Sequence, residues 1–120
     1  MSGREEPEVC VWFNPGCSKC RSARDLLAER NIDADYLRYL DTSPSATEIR
    51  RVMGLLAIDD PRDMMRTGEA AYRELGLADK QGDDLVSAMV EHPILIERPI
   101  VIRGDRAVIA RPPEKLLDLL

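Results

Sequence analysis

The chain has 120 residues, 44% of them apolar and 32% charged, and a net charge of −5. That length suits one domain with its own core, and an acidic balance without a basic block argues against a nucleic-acid partner. No apolar run approaches a membrane span, and three cysteines are too few and wrongly spaced for a secreted disulfide framework.

Residues 1–8 are polar and acidic, so they are expected to form a disordered lead-in rather than a signal or transit peptide. Residues 9–13 are a short apolar run rich in β-formers and predict a buried strand. Asn14-Pro15-Gly16 is turn chemistry, and Cys17 stands where the first turn of a helix should begin. That helix is expected over residues 18–30, with Cys20, Ala23, Leu26 and Leu27 as its inner stripe. Residues 34–40 predict a second strand, which completes a parallel βαβ unit. Ser45 and Glu48 form a capping box for the next helix, and Ile49, Val52, Met53 and Leu56 keep helical spacing. Asp60-Pro61 opens a short helix over 62–65. A further helix is expected over 69–75, stopped by Gly76, and Leu85, Ala88 and Met89 mark one more before Pro93. Residues 100–102 and 107–110 then form two strands around Gly104-Asp105, a two-residue turn of type II′. A short helix carrying Leu116, Leu117, Leu119 and Leu120 closes the chain.

The sum is βαβ, a helical insertion over about 41–92, then ββα: a single α/β domain over 1–120 with a thioredoxin-like layout. In that layout a proline often precedes the third strand, opposite the active-site cysteine, and is often cis. Pro99 is the candidate.

Cys17 carries the chemistry. Unpaired N–H groups and the positive end of a helix dipole favour an anion there, and Lys19 and Arg21 add positive charge, so the thiol should be partly thiolate. Cys10, inside a strand, reads as a small buried hydrophobe. Cys20 completes a C-x-x-C pair. It either resolves an adduct on Cys17 or is buried and inert on the helix stripe. A zinc site would need two more ligands, and beyond carboxylates the chain offers only Cys10 and His92. His92, the one histidine, reads as a helix-end residue, and nothing in the sequence brings it to Cys17. Arg98 and Arg111 each precede a proline at opposite ends of the predicted hairpin, which returns both guanidinium groups to one sheet edge. Arg66 could reach the same place. Guanidinium forks bind tetrahedral oxyanions in paired hydrogen bonds, so a thiolate beside such a cage suits an oxyanion that sulfur attacks.

Over residues 9–120 the chain resembles the glutaredoxin-coupled arsenate reductases, the ArsC family. The matching features are Asn14-Pro15-x-Cys17 with Arg21, Met65-Arg66, Glu74-Leu75-Gly76-Leu77, the string from His92-Pro93 through Arg98-Pro99-Ile100-Val101, and Arg111-Pro112. The resemblance implies a nucleophilic Cys17 and an oxyanion cage of Arg66, Arg98 and Arg111. It also implies that cysteine attacks arsenate, that a small thiol displaces the adduct, and that glutathione with glutaredoxin, thioredoxin or a similar donor recycles the enzyme. No metal or organic cofactor is implied, no membrane or nucleic-acid partner is expected, and the expected state is a cytoplasmic monomer. Two departures stand out. The reductase branch often carries histidine where this chain has Phe13, and its glutathione-using members tend to carry serine at Cys20. A C-x-x-C here also resembles the Spx-type redox regulators of RNA polymerase, which lack the equivalent of Arg111-Pro112. A general thiol–disulfide reductase without arsenate activity and an Spx-like regulator are therefore the rival readings.

Overall fold

The computed structural model describes residues 9–120, so the expected lead-in over residues 1–8 lies outside the described residues. The chain divides into two compact units, one formed by its two ends (up to Arg38, then Arg98–Leu120) and one by Tyr39–Glu97 between them.

The first unit holds strands β1 (Val9–Trp12), β2 (Ala34–Leu37), β3 (Ile100–Arg103) and β4 (Arg106–Ile109), helix α1 (Ser18–Glu29) and a 3₁₀ helix over Pro113–Leu119. The sheet order is β2-β1-β3-β4. Strands β1 and β2 run parallel, as α1 between them requires, while β3 is antiparallel to both β1 and β4. Alternation along β1 sends Val9 and Val11 into one core with Cys20, Ala23 and Leu27 of α1 and with Val101, Leu116 and Leu119. Full burial of a side chain such as Leu27 is worth about 1.5–3 kcal/mol. This is the thioredoxin-like α/β arrangement expected from the sequence.

Strands β1 and β2 are shorter than the runs expected over 9–13 and 34–40. The chain turns at Asn14, so β2 loses its partner after the Trp12–Leu37 pair and one further bond, Phe13 N–H to the Leu37 carbonyl at 2.7 Å. In the hairpin the left-handed φ of +61° falls on Gly104 and Asp105 keeps an ordinary φ, as the glycine-first turn demands. The closing helix is 3₁₀ rather than α. In a 3₁₀ helix residues three apart share a face, and Pro113, Leu116 and Leu119 are the three buried positions. Carbonyls left over at its end are taken by arginines of the hairpin: Arg103 Nη1 donates to Leu119 at 2.7 Å and Arg106 Nη2 to Asp118 at 2.8 Å.

The second unit holds α2 (Ala46–Leu56), α3 (Ala70–Glu74) and α4 (Asp83–Glu91), with 3₁₀ turns at Pro61–Met64, Leu77–Asp79 and Pro93–Leu95. Ser45 Oγ accepts from the Glu48 N–H at 3.1 Å and starts α2. The helix expected over 62–65 is a single 3₁₀ turn capped by Asp60, because Met65 leaves it to bridge Ile96 in extended conformation. Arg62 ties this unit together. Its Nε donates to the Tyr72 hydroxyl at 2.8 Å, its Nη2 to the carbonyls of Leu77 at 2.8 Å, Ala78 at 3.2 Å and Lys80, and it pairs with Asp60 at 3.6 Å.

Candidate active site

Asn14 builds the turn that presents the cysteine. Its Oδ1 accepts from the Gly16 N–H at 2.9 Å and its carbonyl from the Cys17 N–H at 3.0 Å. The Cys17 carbonyl then accepts from the Arg21 N–H at 3.1 Å, the first helical bond. Cys17 is thus the N-cap of α1, extended at φ −97° and ψ 125°, immediately before a helix that starts at residue 18 as expected. Its side chain stands at the open end of the helix and is 8% exposed.

Burial alone would raise the Cys17 thiol. The backbone N–H of Cys20, the Arg98 side chain, the Cys20 thiol and the N–H of Lys19 outweigh it and lower the thiol to about 7. The two N–H groups favour the anion although neither makes a regular capping bond to the sulfur. Cys20 goes the other way. It is 0% exposed, and burial, opposed by the Asn14 N–H, combines with the charge and contact of Cys17 to push its thiol up to about 11. No disulfide links the three cysteines. Cys10 is half-buried on the other face of β1, in register with Ile102.

The hairpin delivers Arg98. Ile100 lies opposite Trp12 on β1 and Ile109 on β4, so residues flanking the hairpin meet at the end of β1 that leads into the cysteine turn. The Arg98-Pro99 and Arg111-Pro112 peptide bonds are both cis. Arg111 Nη1 donates to the Arg98 carbonyl at 3.0 Å, and the Ala110 N–H to the Pro99 carbonyl at 2.9 Å. Cys17, Cys20, Arg98 and Arg111 are therefore brought together within the first unit.

Three other residues singled out from sequence have different surroundings. Arg21 donates Nη1 to the Pro15 carbonyl at 2.9 Å, so it braces the turn, and the guanidinium that reaches the thiol is that of Arg98. Arg66 belongs to the second unit, where it pairs with Glu69 at 2.8 Å and its N–H donates to the Leu95 carbonyl at 2.7 Å. His92, in the same unit, ends α4. Among the described residues no group of three or more His, Cys, Asp or Glu is placed to hold a metal.

Two residues were not marked as site residues by the sequence reading. Asn14 supplies both the turn and an N–H at Cys20, and its local signal in the sequence is the Asn14-Pro15-Gly16 turn chemistry. Phe13 lies in the core with both cysteines, its ring meeting Tyr36 edge-on at 5.2 Å, so the position often held by histidine forms an apolar wall. A sulfur partly ionised at neutral pH beside a guanidinium is a nucleophile next to an anion-binding group.

Comparison with known proteins follows the same lines. The ArsC family profile matches residues 12–119. A protein named arsenate reductase from Neisseria meningitidis serogroup A is 41% identical over 116 residues, covering 95% of this chain and 99% of its own. One of the same name from Haemophilus influenzae is 43% identical over 114 residues, covering 93% and 98%. A solved structure described as an arsenate reductase from Vibrio cholerae superposes with a TM-score of 0.90 at 44% identity, covering 95% of this chain and 98% of that one. With matched residues that run from β1 to the closing 3₁₀ helix, the chain belongs to the ArsC family.

Proposed function

We propose that the protein is a thiol-dependent arsenate reductase with Cys17 as its nucleophile and residues 1–120 acting as one domain. The observation that carries this reading is the placement of the Cys17 thiol at the N-cap of α1 against the Arg98 side chain, an arrangement that favours its thiolate. The names of the relatives from N. meningitidis and H. influenzae supply the substrate.

The thiolate attacks arsenic(V) of arsenate, a sulfur–arsenic bond forms, and one oxygen leaves as water after protonation. Arg98 and Arg111 hold the oxyanion and offset its charge. Arg21 supports the thiolate indirectly by keeping the turn closed on Pro15. Two thiols supply two electrons, so arsenate and two RSH give arsenite, RSSR and water. The proposed donor is an external thiol reductant, glutathione with glutaredoxin, thioredoxin or a similar protein, and the need for reduced thiols supports a cytoplasmic reaction.

The test is arsenate-dependent NADPH oxidation, with glutathione, glutaredoxin and glutathione reductase in one arm and thioredoxin with its reductase in the other. Turnover that disappears in Cys17→Ser is the expected result. Reduction of a model disulfide without any arsenate-dependent turnover would make the protein a general thiol–disulfide reductase instead.

A further inference from the structure

The second cysteine has no part in a single-cysteine mechanism, yet it touches the first. Cys20 sits at the third residue of α1 and Cys17 at its cap, a separation that puts two side chains on one face of a helix. Both lie in the same buried core, and their side chains are in hydrogen-bonding contact. Cys17 is outside the helix proper, with an extended backbone, so its torsions can adjust without breaking a turn of α1. The Cβ atoms of such a pair need to approach by only about 1–2 Å to reach disulfide geometry. A donor N–H, that of Asn14, also faces the Cys20 sulfur.

We propose that Cys20 is the resolving nucleophile: it attacks the Cys17 sulfur of the arsenic adduct, forms a Cys17–Cys20 disulfide and releases arsenite. The inference rests on the reading of Cys17 as the attacking group. The sulfur–arsenic bond breaks, its electron pair stays on arsenic, and arsenic(V) becomes arsenic(III) while two thiols become one disulfide. The Cys20 proton passes to the leaving arsenic oxygen. In sum, the dithiol protein and arsenate give the disulfide protein, arsenite and water. A dithiol reductant of the thioredoxin class then attacks the disulfide and restores both thiols.

The resting state of Cys20 is protonated, and the groups around it explain when that changes. Burial comes first and opposes ionisation throughout. The negative charge of Cys17 and its acceptance of the Cys20 S–H also keep the proton on Cys20. Both of these vanish once the Cys17 sulfur is bonded to arsenic. The Asn14 N–H and the positive charge of Arg98 remain, and both favour a Cys20 anion. The second thiol is thus held inactive by the first until there is an adduct to resolve. Full burial keeps external thiols and alkylating agents away from it meanwhile.

The experiment is a single turnover of full-length protein with excess arsenate and no added reductant, quenched in acid, denatured and alkylated without reduction. Expected are one equivalent of arsenite per protein, a Cys17–Cys20 disulfide by peptide mass spectrometry, and label on Cys10 alone. Cys20→Ser and Cys20→Ala should release no arsenite until a small monothiol is added, and should lose recycling by thioredoxin. Arsenite that appears only after monothiol addition in the unmodified protein, with Cys20 still fully alkylated after denaturation, overturns the proposal. If no donor supports arsenate turnover, the arsenate reading itself has failed. The exchange is then judged with one equivalent of hydrogen peroxide. Peroxide converts the Cys17 thiolate to a sulfenic acid, and Cys20 expels its oxygen as water to give the same disulfide. A Cys17 sulfinic acid beside an intact Cys20 thiol would count against the resolving role in that arm.

Discussion

Arg98→Ala gives the sharpest test of how the reactive sulfur is prepared. Burial raises the Cys17 thiol, and its fall to about 7 depends on two helix N–H groups, the Cys20 thiol and the Arg98 side chain. A hydrogen bond to a charged group contributes about 1.5–3 kcal/mol. Taking the lower end, because Arg98 is only half-buried, its removal should raise the thiol by about one pKa unit at 1.36 kcal/mol per unit. The midpoint then moves from about 7 to about 8, and the thiolate fraction at pH 7 falls from about one half to about one tenth. The assay is the rate of iodoacetamide modification of Cys17 against pH, read by peptide mass spectrometry so that Cys10 does not contribute. The rate at pH 7 should fall about fivefold, and the high-pH plateau should stay within twofold of the parent. An unchanged midpoint would mean that the N–H groups and the Cys20 thiol set the ionisation and that the guanidinium has no part in it.

Arg111→Ala should lower arsenate-dependent kcat/KM roughly tenfold or more, the equivalent of one charge-assisted bond of about 1.5 kcal/mol. Arg51→Ala, whose guanidinium pairs with Glu48 at 3.2 Å on the surface of α2, should match the parent, and an equal loss in both variants would move the oxyanion site elsewhere. Because the folded Cys17 thiol titrates below its unfolded value, the thiolate stabilises the fold fully above about pH 9 and the contribution is lost as pH falls through 7. Chemical denaturation should therefore show the stability gap between the parent and Cys17→Ser widening by about 2 kcal/mol from pH 6 to pH 9, and a gap independent of pH refutes the shift. Arg62→Met should lower the melting temperature measured by circular dichroism, since three segments of the second unit lose their shared donor, and a variant that melts with the parent would show that those bonds contribute nothing net.

The turn and helix around Cys17 are legible in the sequence because their signals are local. Asn14, Pro15 and Gly16 act on neighbours two or three residues away, and so does Ser45 on Glu48. The hairpin at Gly104 is legible for the same reason. What sequence cannot supply is the direction in which a long side chain reaches. Arg21 carries the expected charge, but its guanidinium turns to the Pro15 carbonyl six residues back. Arg62 looks like any surface arginine after a proline, and its partners are main-chain carbonyls 15 to 18 positions on, which leave no trace in residue identity. The choice between α and 3₁₀ in the closing segment is hidden likewise, since Leu116 and Leu119 suit either spacing until the core fixes which residues face it. The left-handed Ala57 that ends α2 has no glycine to announce it.

The pairing of β3 with β1 has a consequence for biosynthesis. About 80 residues separate Cys17 from Arg98, and at 5–20 residues per second a ribosome needs roughly 4–16 seconds to cover them. During that interval β1 has no β3 beside it, and α1, with 12 residues, is too short to be stable alone. A nascent chain therefore carries Cys17 as an ordinary thiol. Its reactivity arrives only when the C-terminal hairpin docks, so an unfinished or misfolded copy meets cellular electrophiles and oxidants with no more appetite for them than any other cysteine-containing peptide.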